Sequence, residues 1–443
     1  PMATIDVEAP ARLPFGIALP DSVSALRERD FRVVWIGQAI SMTGTWMQAM
    51  AQGLLVLELW DSAFGLGIVN FANALPSLVV MLFGGVLADR ADKRRILLMT
   101  QVVMMLLAGA LAVLIATGRV EIWMIIVAAA MLGIAFGYDM PAYQAFLPDL
   151  VRPEKIGQVV ALNSATFHGT RMVGPAVAGA VIGAFGLATA YFLNAASFVA
   201  VIAGLLMIRY RPAARPAGEP RVSSIEGLKQ GLRHARGRPH VMVLLLLTAL
   251  NTTLVFPIVA ILTTYYVKSV LHEGAGVLGL VWASSGVGSV LGALALVWWG
   301  EQMRAARIWL AVVIAPLGLV GMALTREPAV AIAIQAFVSF SFSSQLGIIQ
   351  MMLQESTPSQ FRGRVMSLNG IAFNGTTPFA ALATSGLATV VGLPAVMVGV
   401  GLTYGVLAAL VLQFGGGGIG NVVEKARQEY RELAAQPVAA GHH

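Results

Sequence analysis

The sequence has no cysteine among its 443 residues, and only 12% of its residues are charged. Without cysteine, disulfide frameworks, thiolate metal sites and cysteine nucleophiles are excluded. Soluble domains carry about 25% charged residues, whereas here hydrophobic residues make up 57% of the chain. An apolar excess this large cannot be buried in one water-soluble globule, so the composition predicts an integral membrane protein.

Several residue strings that carry enzymatic chemistry are also missing. The chain has no Gly-x4-Gly-Lys-Ser/Thr loop, which argues against direct coupling to ATP. It has no His-Glu-x-x-His or Gly-x-Ser-x-Gly string, and its six histidines are scattered. The sequence therefore predicts neither a cofactor nor a metal site, and we expect a protein that is not an enzyme.

Long apolar runs are what the chain has in abundance. Twelve runs of about 20 residues lie between charged or Pro/Gly-rich breaks, which predicts an all-α membrane protein with twelve transmembrane helices. Residues 1–30 lack a continuous apolar core, so no cleavable signal peptide is expected. The predicted spans are Val33–Leu59, Phe64–Leu87, Ile96–Ala116, Ile122–Leu147, Ile156–Phe185, Leu187–Ile208, Val241–Val267, Ala275–Trp299, Ile308–Leu324, Ala329–Leu353, Val365–Val391 and Pro394–Phe414.

The positive charges lie mostly on one side of these spans. With the N-terminus in the cytoplasm, 25 of the 29 Lys and Arg residues fall in inner segments, and the outer loops hold only Arg119, Lys268 and Arg326. Cytoplasmic loops of membrane proteins are enriched in Lys and Arg. This pattern predicts a multi-pass protein of a bacterial inner membrane with both termini in the cytoplasm. The net charge of +7 is then a topology signal, and no nucleic-acid partner is expected.

An internal repeat and one long connector divide the chain into two halves. Residues Leu162–Thr170 line up with Leu368–Thr376, and the same offset of 206 residues pairs Asp149 with Glu355. Two related six-helix halves are what an alternating-access transporter requires. The predicted segments are an N-terminal cytoplasmic segment (1–30), a first half (31–208), a cytoplasmic linker (209–239), a second half (240–414) and a cytoplasmic tail (415–443).

The linker contains a stretch with two different helical faces. Ile225, Leu228 and Leu232 share one face, and Lys229, Arg233 and Arg236 fall on the other. This pattern suits an amphipathic helix on an anionic lipid surface. A merely solvated linker explains it equally well.

The loop between spans 2 and 3 carries the most specific motif. Residues 84–95 read GGVLADRADKRR, which resembles the signature loop of the major facilitator superfamily. The resemblance implies two pseudo-symmetric six-helix halves and a charged gate at the inner side. The implied gating residues are Gly85, Asp89, Arg90 and Arg94, with Arg362 and Arg364 before span 11. Asp92 stands where the family pattern usually has glycine.

Span 5 carries a second motif, which reads GTRMVGP over residues 169–175. It resembles the glycine-proline motif of the antiporters and exporters of this superfamily. Glycines let two helices touch backbone to backbone, and a proline removes one helical hydrogen bond and bends the helix. The residues of this helix-bend motif are Gly169, Gly174, Pro175 and Gly179. Ordinary small-residue packing is the competing interpretation of the glycines.

Residues 25–414 resemble a narrower group, the exporters related to the enterobactin exporter and to macrolide efflux proteins. The matching strings are RDFR at 29–32, DMPA at 139–142 and RGRVMS at 362–367. Members of the group often have Arg after the second string, where this chain has Tyr143. That departure puts in doubt a proton-coupling scheme carried over from the family unchanged.

Few ionisable residues lie inside the predicted spans. Asp139 lies on span 4, and His168 and Arg171 lie one helical turn apart on span 5. Ionisable groups in the membrane are costly and are functional candidates by default. An Asp–Arg pair in a low dielectric suits a proton switch. A static ion pair that orients two helices, and a histidine that is simply hydrogen-bonded, are the competing interpretations.

A central cavity is expected between the halves, with walls from spans 1, 4, 7 and 10 by family analogy. A mixture of amides and aromatic rings suits a sizeable amphipathic ligand, although such side chains also join helices. The substrate-binding candidates are Gln38, Trp46, Gln48, Asn70, Asn73, Asn251, Tyr265, Gln335 and Gln345.

Together these features predict a proton-coupled secondary transporter. The resemblance implies a monomer that exports a small amphipathic molecule, such as a drug, a macrolide-like compound or a siderophore. Its other partners would be protons and membrane lipids. Transport of a lysolipid or another lipid is the nearest alternative, and a membrane sensor or scaffold without transport is a more distant one.

Overall fold

In a computed structural model, the described residues are 21–90, 92–208, 224–298, 300, 303–415 and 417–435. They form helices and short turns, with no strand among them. The first half contains α1 (Arg29–Leu59), α2 (Ala63–Arg90), α3 (Lys93–Ala116), α4 (Ile122–Phe146), α5 (Ile156–Phe185) and α6 (Leu187–Met207). After α7 (Ser224–Arg236), the second half contains α8 (Pro239–Leu250), α9 (Thr263–Ser269), α10 (Ala275–Trp298), α11 (Arg304–Leu324), α12 (Pro328–Glu355), α13 (Ser359–Asn374), α14 (Thr377–Val391) and α15 (Leu393–Phe414), and α16 (Ile419–Ala435) follows it.

These helices confirm the all-α membrane fold. Nine helical segments of the described chain are long and apolar enough to cross a membrane. The predicted spans outside that group are spans 1, 5 and 11, which are formed by α1, by α5 and by α13 with α14. Their helices are more polar or shorter: α5 contains His168 and Arg171, and α14 has only 15 residues. The helices that depart from the apolar pattern thus include α5, which contains His168 and Arg171.

Span 7 is a continuous rod with two π-helical segments. Residues Pro239–Ser269 form one uninterrupted helical segment that is long and apolar enough to cross a membrane. Between α8 and α9, the segments Asn251–Val255 and Pro257–Leu262 are π-helical. Pro257 has no backbone N–H to donate, which favours a local change of helical pitch. Such π segments are frequent at functional sites.

The two halves repeat their geometry with the offset found in the sequence. Gly186 connects α5 to α6, and Gly392, which is 206 residues later, connects α14 to α15. Their φ angles are 81° and 85°. At one end of the first half, the Lys93 ammonium pairs with Asp149. At the equivalent end of the second half, Arg304 pairs with Glu355 through bonds of 2.7 and 3.2 Å. The Asp149–Glu355 match therefore marks equivalent structural positions.

Within each half the same helix pairs pack closely. Helix α2 packs on α4 in the first half, as α10 packs on α12 in the second. A Cβ atom added at Gly133 would lie 2.0 Å from the Asn73 carbonyl oxygen, and one added at Gly288 would lie 2.0 Å from that of Ala336. Only glycine permits this backbone contact in either half.

The two halves meet mainly near one end of the molecule, the end opposite the basic loops, which we call the outer end. There Lys268 donates to the Leu57 carbonyl at 2.6 Å and to Asp61 at 3.2 Å. The Ser62 and Thr389 hydroxyls lie 3.2 Å apart, which joins α2 to α14. These contacts close the outer end of the described structure.

Two amphipathic helices cover the inner end of the second half. Helix α7 packs on α13, where a Cβ atom at Gly231 would lie 3.0 Å from the Arg364 carbonyl oxygen. The His234 ring stacks on Phe361 at 4.4 Å. Helix α16 packs on α8 and α12, and Glu429 accepts from Arg238 at 3.1 Å. Part of α7 therefore faces protein, and its side chains Lys229, Arg233 and Arg236 are exposed.

Candidate functional site

The candidate site is a cavity of about 390 Å³ that borders both halves. Helices α1, α2, α3, α4 and α6 supply most of its wall, and span 7 and α10 supply the rest. Its polar lining consists of Thr45, Gln48, Gln52, Asn70, Asn73, Asn194 and Thr264, and its aromatic lining of Trp46, Phe136, Phe198, Phe256 and Trp282. None of these lining residues is ionisable. A volume in this range with a few polar groups in an apolar wall is typical of small-molecule sites.

Four of the predicted substrate residues line this cavity. They are Trp46, Gln48, Asn70 and Asn73. Gln48 accepts a 2.6 Å hydrogen bond from the Asn194 side chain, and Asn73 donates to the Ala129 carbonyl at 3.0 Å. The Oδ1 atom of Asn70 is buried and has no hydrogen-bond partner among the described residues. Asn70 therefore lines the cavity without a hydrogen bond between its side-chain oxygen and a neighbouring helix in the described structure.

The remaining substrate candidates, Gln38, Asn251, Tyr265, Gln335 and Gln345, are not among the residues that line this cavity. The Gln345 side-chain oxygen accepts hydrogen bonds from Asn251 and from the Tyr404 hydroxyl, and Gln335 donates to the Val259 carbonyl at 3.2 Å. These buried amides join spans 7, 10 and 12 to one another, so hydrogen bonding between helices accounts for them.

Asn194 and Trp282 were missed in the sequence because α6 and span 8 were not expected to form the wall. Asn194 is 2% exposed within an otherwise apolar helix. A buried amide in an apolar span costs free energy unless it is hydrogen-bonded. That isolated polarity was the available signal for Asn194, whereas nothing distinguishes Trp282 from an ordinary packing residue.

Asp139 lies on α4 and is the only carboxylic acid among the described residues that is buried, at 6% exposure. Its Oδ1 atom accepts hydrogen bonds from the Thr100 hydroxyl at 2.6 Å and from the Gln101 amide at 3.0 Å, both on α3. Hydrogen bonds to an ionised carboxylate are stronger than neutral ones. The protonation state of Asp139 therefore bears directly on the contact between α3 and α4.

Arg171 does not pair with Asp139, contrary to the expectation of an Asp–Arg switch. Its guanidinium lies 5.8 Å from the Trp46 ring centroid and 3.5 Å from the Ser285 hydroxyl. The reason is the packing of the helices: α4 turns Asp139 toward α3, whereas α5 packs between α1 and α10. His168 lies one turn from Arg171, with its ring 5.5 Å from that of Phe167.

The helix-bend motif lies where three helices touch. A Cβ atom at Gly174 would lie 2.6 Å from that of Trp46, and one at Gly179 would lie 2.9 Å from the Ala275 carbonyl oxygen. Pro175 lies inside α5 and is buried. Gly169, by contrast, has open space beside it. Gly174 and Gly179 thus allow α5 to approach α1 and α10.

The predicted gating residues are only partly described. Gly85, Asp89 and Arg90 lie at the end of α2, and their side chains fall outside the described residues. Arg94 donates to the carbonyls of Leu205 and Leu206 at the end of α6, at 2.7 and 3.2 Å. Arg364 lies over the Phe361 ring at 5.3 Å, and Arg362 is exposed. Asp92 accepts from the Arg94 backbone N–H at 3.0 Å and so caps α3.

Comparison with known proteins covers nearly the whole chain. The sequence model of a family described as transmembrane secretion effector matches residues 21–430. The staphyloferrin A transporter of Staphylococcus aureus is 25% identical over 57% of this chain and 63% of its own length. The multidrug efflux pump Tap of Mycolicibacterium fortuitum is 24% identical over 79% of this chain and 86% of its own length. Macrolide efflux protein A of Streptococcus pyogenes is 22% identical over 77% and 84%.

Solved structures share the fold at low sequence identity. A bacterial homologue of the human lysosomal transporter Spinster, in an inward-facing and unoccupied conformation, aligns with a TM-score of 0.64 and 11% identity. That alignment covers 92% of this chain and 98% of the homologue. A D-xylose–proton symporter aligns with a TM-score of 0.65 and 14% identity over 88% of this chain and 98% of its own.

Proposed function

This chain belongs to the transmembrane secretion effector family of the major facilitator superfamily, and on that premise we propose that it is a proton-coupled exporter of small amphipathic molecules. Members of this superfamily are transporters and not enzymes, and the chain is a multi-pass membrane protein. The observation that carries the proposal is the cavity of about 390 Å³ with its uncharged, amide-rich and aromatic wall. Rings supply apolar contact, and amides supply orientation.

The described structure supports loading from the inner side. Its outer end is closed by Lys268 with Leu57 and Asp61, whereas the inner part of α5 is exposed at Gly157, Ala161 and Ser164. A solute that enters from the inner end would reach the cavity, and reversal of the closure would release it outside. We propose that the inner closure uses the loop at Asp89, Arg90 and Arg94 with Arg362 and Arg364.

We further propose that Asp139 carries the transported proton. Protonation would remove its negative charge and with it the strength of the bonds from Thr100 and Gln101. The hold of α3 on α4 would weaken, and the first half could then change shape. Because Arg171 lies elsewhere, the proposal assigns coupling to Asp139 without an ion-pair partner.

The test is proton flux into proteoliposomes under an imposed pH gradient. Siderophores, macrolides, lipophilic cations and lysolipids are added in turn, and internal pH is followed by a trapped dye. We expect an amphipathic solute to trigger flux in the natural protein, and Asp139→Asn to abolish that flux. Glu273→Gln is the matched control, since Glu273 is an exposed residue at the outer end.

Each alternative outcome would show a different part of the proposed function to be wrong. Flux that persists in Asp139→Asn would remove that residue from coupling while antiport stands. A response to lysolipids alone would favour lipid transport. No response from the folded protein to any solute would overturn proton-coupled export of this class.

We also propose a bacterial inner-membrane location, cytoplasmic termini and a monomeric state. The distribution of Lys and Arg supports the orientation.

A further inference from the structure

Arg171 is a positive charge inside the bundle that lacks a negative partner. No carboxylate lies within 4 Å of its guanidinium among the described residues, and its contacts are the Ser285 hydroxyl and the Trp46 ring. A cation in a membrane-spanning helix costs free energy unless it is paired or hydrated. A cation retained there without a partner requires an explanation in function.

The neighbouring helices add no negative charge. The part of α1 that faces the cavity, between residues 33 and 57, contains no Asp or Glu, and α10 contains none either. On α5 the other ionisable side chain is His168, one turn from Arg171. The electrostatic potential at this position is therefore positive, with the low dielectric of the bundle around it.

Arg171 lies at the boundary between an exposed stretch of α5 and a stretch that packs on α10. One face of α5 carries Gly157, Ala161, Ser164, His168, Arg171, Pro175 and Gly179 at helical spacing. Beyond Arg171, this face packs on α10, where a Cβ atom at Gly279 would lie 2.7 Å from the Pro175 carbonyl oxygen. Before Arg171, the same face is exposed at Ser164. The guanidinium thus lies where the exposed inner part of this face meets the part that packs on α10.

The same guanidinium lies beside Trp46, a residue of the cavity wall, although Arg171 itself is not among the lining residues. The position of Trp46 is fixed because α1 and α5 touch at Gly174. An arginine stacked on an aromatic ring keeps the N–H groups at its edge available for hydrogen bonding. The Ser285 hydroxyl accepts from Arg171 and lies 2.7 Å from the Ser339 hydroxyl, so the guanidinium has polar groups on this side.

We propose that Arg171 binds a carboxylate or phosphate group of the transported molecule, whose apolar part occupies the Trp46 side of the cavity. Planar guanidinium groups match these anions with two parallel hydrogen bonds. The proposal rests on the export function above and narrows its substrate class to amphipathic anions. A cationic solute would be repelled by the resident charge.

The experiment is equilibrium binding to purified protein in nanodiscs of uncharged lipid, without any pH gradient. The probes share one ring system: 2-naphthoate, 2-naphthyl phosphate, 2-naphthamide and a 2-naphthyl trimethylammonium salt. We expect saturable binding of at least one anion and weaker binding of the amide and the ammonium probe. The naphthoate and phosphate arms distinguish the two anion types.

Variants then assign the effect to the guanidinium. Arg171→Gln is expected to weaken binding of the preferred anion about tenfold or more, because a hydrogen bond to a charged group is lost. It should leave binding of 2-naphthamide unchanged. Arg171→Lys keeps the charge but not the planar fork, so its anion affinity should fall between those of the natural protein and Arg171→Gln, which a purely packing role for Arg171 would not explain. Arg326→Gln removes one charge at the outer end and serves as the control.

Equal affinity for the four probes, or an unchanged anion affinity in folded Arg171→Gln, would overturn the proposal. So would the absence of saturable anion binding to the natural protein. Binding without a gradient does not depend on proton coupling. A failure here therefore leaves the antiport assay interpretable, and a failure of antiport leaves this result intact.

Discussion

At the scale of single residues, the buried amides serve two different purposes. Asn251 and Tyr404 both donate to the Gln345 side-chain oxygen, and Asn194 donates to that of Gln48, while Asn251 Oδ1 and Gln345 Nε2 have no partner among the described residues. Such bonds in a membrane bundle contribute about 0.6 kcal/mol on average. An amide that bonds to a neighbouring helix holds the two helices together, whereas Asn70 lines the cavity without such a bond through its side-chain oxygen.

Asn70 and Asn73 provide a matched pair that tests this distinction. Asn70→Ala is expected to raise KM about threefold to tenfold for the solute that drives proton flux, since a polar group of the cavity wall is lost. Asn73→Ala removes the bond to the Ala129 carbonyl and should lower the unfolding free energy by about 1 kcal/mol. Flux kinetics and denaturant unfolding measure the two effects. A higher KM with unchanged stability for Asn73→Ala, together with lower stability and unchanged KM for Asn70→Ala, would refute this assignment of roles.

At the scale of helices, the contact between α5 and α10 depends on the absence of side chains. Gly179 and Gly279 lie face to face, and a Cβ atom at Gly179 would lie 3.2 Å from the Gly279 Cα. One turn further along α5, Gly183 has nothing within 4 Å of the equivalent point. The same substitution at these two glycines should therefore have different consequences.

Gly179→Val is expected to favour separation of the outer end. Overpacking costs about 1–3 kcal/mol, which is roughly a five- to 150-fold shift in population. A cysteine at Ser385, which is fully buried against α2, reports the opening by its labelling rate with an impermeant maleimide. We expect faster labelling in Gly179→Val and no change in Gly183→Val. Equal rates in both variants would mean that this contact does not control closure.

The sequence was sufficient to predict the helices, but not the rotation of each helix about its own axis. Apolar run length predicted the ends of α3 and α4 to within a few residues, because the bilayer sets the length of a span. Whether Asp139 faces α3 or α5 depends on how α4 packs against its neighbours, and α4 is apolar on nearly all sides. The Asp139–Arg171 expectation failed for that reason. Trp46 and Gln48, which stand in a visibly polar stretch of span 1, line the cavity, and their role in binding a substrate stays a prediction.

At the scale of the whole molecule, the asymmetry of charge predicts which end faces the cytoplasm. The exposed Arg233 on α7 lies at the inner end, and the exposed Arg326 lies in an outer loop between α11 and α12. The natural chain has no cysteine. Single cysteines can therefore be introduced and labelled without any background mutation.

Labelling of intact cells tests this orientation. Arg326→Cys is expected to react with a membrane-impermeant maleimide from outside, and Arg233→Cys to react only after the cells are permeabilised. Inverted vesicles should show the opposite order. If Arg233→Cys is labelled in intact cells, the proposed orientation of the termini is wrong.

The contact with α10 divides α5 into an outer part that is packed and an inner arm that extends beyond the contact. From Met172, whose backbone touches α10 at Gly286, the helix extends back to Ile156 at the inner end. That arm is about 24 Å long at 1.5 Å per residue, so a rotation of about 15° would move its tip by roughly 6 Å. Small changes of angle at a few glycines are enough to admit or exclude a whole ring system.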